Sequence, residues 1–303
     1  MKIFITGGTG FVGTHLSKRL LNKGHTVIAT GTRPDQDRVH HEAFHYLSCD
    51  NTQPGPWQEV AAKTDAAVNL AGRSIFNYWT ESYKQKMYDS RILTTRNLVE
   101  ALPEDRDYVL VSTSAVGYYG SRGDEILTED GPPGDDFLAD LGKDWEAEAE
   151  KANEKGARVA IPRFGIVLGK GGGAMKQMLP IFKLGLGGPL ADGSQWFPWI
   201  HIEDITAAIE FALENEAVTG PFNLTAPDPV RNKEFTRILA NRLHRPAFMP
   251  APGFMIRMVM GELGDTLLAS TRAVPEKLMG YGFRFAYPTA RTALDQIIQE
   301  EVE

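Results

Sequence analysis

Short apolar, β-rich runs recur at about 2 to 6, 26 to 30, 66 to 70, 107 to 113, 157 to 161 and 221 to 225. Runs of this length and composition predict strands. Between them, apolar residues return every three to four positions, which predicts helices at about 11 to 23, 82 to 101, 137 to 155, 203 to 214 and 231 to 243. His45 to Ser48 reads as a further, third strand. Such alternation predicts an α/β fold with helices on both faces of a doubly wound parallel sheet. A glycine-rich piece from Gly165 to Gly193 breaks the rhythm. There the chain is predicted to leave the sheet, return for the helix after Glu203 and the strand Pro221 to Thr225, and leave again. The expected organisation is a sheet domain of 1–169 plus 200–228 and a smaller, discontinuous C-terminal substrate lobe of 170–199 plus 229–303.

The first strand runs directly into a glycine-punctuated turn and a helix start, KIFITGGTGFVG from Lys2 to Gly13. Gly7 and Gly10 allow a tight turn and close backbone approach to a pyrophosphate, and Gly13 lets the helix pack tightly on its strand. With Thr9, Phe11 and Val12 they place helix N–H groups around the anion, so the sheet domain is expected to be a Rossmann-type dinucleotide-binding unit. At the end of the second strand an NAD site usually carries an acid for the ribose 2′-hydroxyl. This chain reads Ala29, Thr30, Gly31, Thr32, Arg33, so NADP(H) is the expected cofactor, with Arg33 on the 2′-phosphate unless Asp35 or Asp37 pairs with it. Asp50, after the third strand, is either an adenine-edge contact or a simple loop acid.

Composition removes several other classes. Net charge is −7 with no block of basic residues, which gives no electrostatic support for nucleic acid or an anionic membrane. No apolar run approaches the roughly 20 residues of a membrane span, and Met1 leads straight into the first strand, so a cytoplasmic protein is expected. A single cysteine, Cys49, excludes an intrachain disulfide. His41, His45 and Cys49 would share a helix face, but on a strand their side chains diverge, so no metal site is expected. Gly171, Gly172 and Gly173 read as a surface turn in preference to a lid hinge. Phe254, Met255, Met258 and Met260 have the spacing of a buried helix face, through core packing or a subunit contact. The oligomeric state, monomer or homodimer, stays open.

Several motifs, in order, resemble the extended short-chain dehydrogenase/reductase family of NAD-dependent epimerases and dehydratases. They are TGGTGFVG (Thr6 to Gly13), NLAG (Asn69 to Gly72), STSAVGYYG (Ser112 to Gly120), IPRFGIVLG (Ile161 to Gly169) and WIHIEDITAAI (Trp199 to Ile209). YDSRILTTRNL (Tyr88 to Leu98), the DWEAEA run and the segment around Ala269 to Tyr281 are similar to its atypical, epimerase-like subgroup. The resemblance implies cofactor contacts from Leu70, Ala71 and Gly72, from Ser112, and from Pro162, Arg163 and Phe164. It also implies a catalytic Ser or Thr, which Ser114 matches, and a Tyr and Lys four residues apart on the next helix. Lys143 matches the lysine, contacting the cofactor ribose, but Ala139 stands where the tyrosine belongs. Alanine exchanges no proton, so Tyr118 and Tyr119, on the loop after Ser114, are the candidates for that role.

On one face, Ala139, Lys143 and Glu146 are expected to look into the cleft, opposite the stripe of Phe137, Leu141, Trp145 and Ala149. Related sugar-nucleotide enzymes place an arginine near Phe197. Here Trp196, Phe197, Pro198 and Trp199 suggest a flatter, less charged substrate or a filled junction between lobes, and Arg73 and Arg163 are either anchors for a substrate carboxylate or phosphate or structural ion-pair partners. The expected function is an NADP(H)-dependent oxidoreductase acting on a small-molecule substrate. An NADP(H) sensor without catalysis and a nucleotide-sugar epimerase or dehydratase are the alternatives.

Overall fold

The structure, a computed structural model, describes every residue except Asp105, Phe248 and Glu303, and the side chain of Val302. Seven parallel strands form the central sheet: β1 (Lys2–Thr6), β2 (Thr26–Gly31), β3 (Phe44–Ser48), β4 (Ala66–Asn69), β5 (Val109–Ser112), β6 (Arg158–Phe164) and β7 (Gly220–Leu224). Their spatial order is β7-β6-β5-β4-β1-β2-β3, and the two-residue strand Ser114–Ala115 pairs with the end of β6. The order reverses between β1 and β4, which opens a crevice outside their carboxyl ends. β1 is buried along almost its whole length and β4 along all of it, as continuous apolar runs require.

The helices used below are α1 (Phe11–Asn22), α2 (Glu81–Ala101), α3 (Phe137–Glu150), α4 (Met175–Lys183), α5 (Ile202–Glu214), α6 (Asn232–Arg242), α7 (Gly253–Met260) and α8 (Ala290–Val302). The Thr80 hydroxyl caps α2 by accepting from Tyr83 N–H, and the Asp136 carboxylate caps α3 through Ala139 N–H. One sheet face packs Leu16 and Leu20 of α1 with Ile205 and Ile209 of α5. The other packs Leu98 and Val99 of α2 with Ala149 of α3. The fold is therefore the expected doubly wound α/β architecture. A further core joins Leu179 and Phe182 of α4, Phe235 and Leu239 of α6, and Leu294 and Ile297 of α8 around Trp199.

Two expectations change here. Gly172 is buried, not a surface turn: a β-carbon there would stand 2.1 Å from Phe11 Cδ2, so the 169–173 hairpin closes over the Phe11 ring. On α7, Phe254, Met255 and Met258 are exposed instead of packed in a core, because Ile256 takes the inward face.

Candidate active site

At the crevice, a short polar row holds the strand ends together. Thr6 Oγ1 donates to Asn69 Oδ1 (2.6 Å), and Asn69 Nδ2 donates to Thr95 Oγ1 (2.8 Å) and Ser112 Oγ (3.2 Å). Ser112 is thus fully buried with its hydroxyl turned to Asn69, and any cofactor contact from it must be indirect. Above the row, Gly7 sits at φ +65°, and its hypothetical β-carbon would lie 3.0 Å from Ala71 Cα, which ties the glycine turn to the loop after β4. A β-carbon at Gly13 would stand 2.5 Å from Gly7 O, so only glycine lets α1 come this close to the turn. No side chain caps the N-terminus of α1. Its first-turn N–H groups have no intrahelical acceptors, and with the helix dipole they suit a diphosphate. The turn therefore fits a dinucleotide.

Arg33 is exposed at the end of β2, and neither Asp35 nor Asp37 forms an ion pair with it among the described residues. Arg38, which no motif marks, reaches back and donates from Nη1 to Thr9 O (3.2 Å). Asp50 takes the loop-acid role in this structure, accepting from Thr52 N–H and hydroxyl at 3.0 and 2.8 Å. Phe11 turns its ring to the 169–173 hairpin and to His15, leaving its backbone for the turn. Leu70 and Ala71 are half-buried, and Gly72 is exposed, along the crevice.

Beyond β5 a buried polar cluster surrounds Ser114. The Ser114 hydroxyl donates to Glu146 Oε1 (2.6 Å), and Arg163 grips the same carboxylate twice, from Nε at 2.8 Å and from Nη2 at 2.7 Å. Arg163 also donates to Tyr119 Oη (2.8 Å) and Glu129 O (3.1 Å), and Tyr119 donates to Asn223 Oδ1 (2.8 Å). Burial opposes the charge on Arg163, but the Glu146 carboxylate overrides it and its pKa stands above the ordinary arginine value. Burial pushes the Tyr119 hydroxyl up to about 12 despite that cation.

Several sequence-derived roles are corrected by this cluster. Tyr119 is wholly buried with its hydroxyl committed on both sides, so it is withdrawn from proton exchange. Arg163, also buried, is spent on Glu146 and is no free substrate anchor or cofactor contact. Pro162 is buried within β6 and Phe164 half-buried at its end. Trp199 is 1% exposed in the core of the C-terminal portion and lines no open site. The face of α3 carrying Ala139 and Glu146 is not open to the cleft. The turn Val116–Tyr119 covers it, and a β-carbon at Gly142 would stand 3.4 Å from Tyr118 Cβ. Lys143 lies at the edge of that face, half exposed, paired with Asp140 at 2.6 Å and within electrostatic reach of Tyr118.

Tyr118 remains. Its ring covers the Arg163 guanidinium at 3.7 Å, and its hydroxyl has no hydrogen-bond partner among the described residues. Trp196 is half-buried, donates from Nε1 to Asp124 (2.8 Å), and has the guanidinium groups of Arg231 and Arg272 at 4.5 and 4.3 Å from its ring. Arg73 is exposed near the Tyr83 ring. Glu146, Glu129 and Asn223 were not assigned roles from sequence; only the offset of Glu146 from Lys143 signalled one of them.

No helix among the described residues is long and apolar enough to cross a membrane. Residues 3–224 match the NAD dependent epimerase/dehydratase family, and residues 251–297 match a domain of unknown function, DUF1731. The chain is 37% identical to the epimerase family protein SDR39U1 homolog, chloroplastic, of Arabidopsis thaliana over 99% of its own length and 87% of the relative's. It is also 37% identical to the epimerase family protein YfhF of Bacillus subtilis, over 99% of both chains. The crystal structure of the human epimerase family protein SDR39U1 with NADPH superposes with a TM-score of 0.85 at 35% identity, covering 99% of each chain. The glycine turn, the strand order and these likenesses converge: this chain belongs to the NAD dependent epimerase/dehydratase family.

Proposed function

We propose that this protein is an NADP(H)-dependent oxidoreductase that interconverts a carbonyl and an alcohol in a small substrate, with Tyr118 exchanging the proton at the reacting oxygen. The observation that carries this reading is the seat of Tyr118. It lies against Gly142, beside Lys143 and over Arg163, on the helix stripe where Ala139 leaves the family's phenol absent. The bare α1 N-terminus, Gly7 and Gly13 would hold the diphosphate, and Arg33 with Arg38 the 2′-phosphate. The relative crystallised with NADPH supports the same cofactor.

Bound NADP(H) supplies or accepts the hydride. In the reducing direction Tyr118 gives its phenolic proton to the substrate oxygen, and solvent restores it. Lys143 is the cation within electrostatic reach of the phenol, while Arg163, matched by Glu146, supports the ring from its face. Ser114 is buried and its hydroxyl is committed to Glu146, so, like Tyr119, it is withdrawn from the reacting oxygen and serves to hold the cluster together. Glu146 acts by holding Ser114 and Arg163 in place.

Oxidation of NADPH against a panel of carbonyls, and reduction of NADP⁺ against alcohols, tests the reading. Tyr118→Phe is expected to lower kcat by about 10²-fold or more with NADPH affinity unchanged. Turnover equal to that of the parent protein overturns the role of Tyr118. Binding of NADPH without turnover on any substrate favours the sensor alternative. For the cofactor, Arg33→Ala is expected to raise the Kd of NADPH about tenfold or more and leave that of NADH unchanged, because a charge-assisted bond of roughly 1.5 to 3 kcal/mol is lost only with the 2′-phosphate. Calorimetric titration of both cofactors measures it.

A further inference from the structure

We infer that Arg91, with Arg73 beside it, recognises an anionic group of the substrate, so that the substrate is a carbonyl or alcohol bearing a carboxylate or phosphoryl group. The inference deepens the oxidoreductase reading and rests on it for the word substrate, although the anion site itself stands on separate observations.

Arg91 lies in α2 and projects against α3. Its Nη1 donates to Met87 O (3.1 Å), and its guanidinium packs on the Trp145 ring at 5.2 Å, the indole being pinned by its own donation to Thr95 Oγ1 (2.9 Å). No carboxylate faces it among the described residues. Desolvation has pulled its pKa down to about 10, so it is still a cation at neutral pH. One intramolecular bond occupies one of the five N–H donors of the fork. The same pair of helices treats its other arginine differently: Arg96, one turn later, meets Glu148 at 2.6 Å. Arg163 is likewise matched by Glu146 of α3. Acids of α3 neutralise Arg96 and Arg163, whereas Arg91 carries the cost of desolvation with no counter-charge among the described residues.

Its location explains what the counter-charge is for. A β-carbon at Gly72 would stand 3.2 Å from Arg91 Cζ and 3.3 Å from Nη2, so the fork presses against the backbone of the loop after β4. Ala71, the preceding residue, borders Gly7 of the nucleotide turn. Arg91 is strongly desolvated but retains some exposed surface. Arg73, on the same loop, is exposed and has no acidic partner among the described residues. Its backbone N–H is anchored by the hydroxyl of Ser90, the residue before Arg91 (3.0 Å). In a chain of net charge −7, two guanidinium groups without an acidic partner among the described residues thus belong to one loop after β4, Arg73 on it and Arg91 packed against it. Paired forks of this kind suit the planar oxygens of a carboxylate or a phosphoryl group.

The anion can come from the substrate or from the cofactor diphosphate, and the experiment separates them. Full-length protein, Arg91→Gln and Arg73→Gln are titrated calorimetrically with NADPH alone. With NADP⁺ saturating, each is then titrated with 4-carboxybenzaldehyde against methyl 4-formylbenzoate, and with glyceraldehyde 3-phosphate against glyceraldehyde. The expected result is tighter binding of the acid in at least one pair, weakened about tenfold or more by Arg91→Gln. NADPH affinity and the melting temperature should not fall. Arg73→Gln, at an exposed position, should weaken the same acid without any folding consequence.

Equal binding of acid and neutral partner, or no binding of either, overturns the inference. So does an Arg91→Gln protein that binds NADPH about tenfold more weakly, since the fork then serves the cofactor. A variant that melts several degrees lower while Arg73→Gln leaves acid binding unchanged also overturns it, by making Arg91 structural. Acid binding without turnover would instead leave this site standing and remove the oxidoreductase reading.

Discussion

Replacing Glu146 with alanine is expected to destabilise the protein by about 3 to 5 kcal/mol, because it strands the buried Arg163 guanidinium without its carboxylate. The loss has a second part: Ser114 and Arg163 Nε and Nη2 all lose their acceptor in the same step. Urea unfolding measures it as a lower midpoint with an unchanged slope. Arg163→Met should cost a comparable amount, since it leaves the Glu146 carboxylate buried and unpaired and deprives Tyr119 of a donor. The double variant Glu146→Met with Arg163→Met is then expected to lose clearly less than the sum of the two, because neither charge is left behind. Simple additivity would show that the pair acts only through packing.

Acid should unfold the protein through His201. This imidazole is wholly buried at the start of α5, accepting at Nδ1 from Glu203 N–H and bonded at Nε2 to Gln296 of α8. Burial pushes its pKa down to about 4 from 6.5. The unfolded chain therefore binds a proton that the folded protein refuses. The contribution to stability is fully present above about pH 6.5 and is lost as pH falls toward 4, amounting to about 3 kcal/mol. Asp204 and Glu129 act in the opposite sense. Burial holds both above the usual carboxylate range, so the folded protein takes up their protons first, and each favours folding as pH drops. Comparing the pH dependence of unfolding free energy with that of His201→Asn isolates the imidazole. The variant curve should be flatter between about pH 6.5 and 4 by the stated amount, and parallel curves would refute the assignment.

Much of the fold could be read directly because its determinants are local. The apolar run of β1, the turn at Gly7 to Gly13 and the first helix occupy consecutive residues, and their order alone specifies a strand, an anion-binding turn and a helix. Helix caps such as Thr80 and Asp136 act across three residues. The candidate site was legible only in its inventory. Ser114, Tyr118, Arg163 and Lys143 stand out as residue types, but whether each offers its side chain to a ligand depends on partners distant in the chain. Tyr118 and Tyr119 are adjacent, yet one faces Gly142 of α3 and the other is locked by Asn223 at the end of β7. Trp196 and Trp199 sit in one aromatic run, and only the packing of α4, α6 and α8 decides that Trp199 is core.

The sequence by itself determined the doubly wound sheet, the nucleotide turn and the absence of the helix tyrosine, since periodicity, glycine spacing and residue identity are properties of neighbours along the chain. Tertiary structure alone decided that Glu146 neutralises Arg163, that Tyr118 packs against Gly142 and over Arg163, and that Arg91 meets no acid among the described residues. Charge compensation and burial depend on distance in space, and in this protein the groups that set them lie on different strands and helices brought together only by the packed sheet.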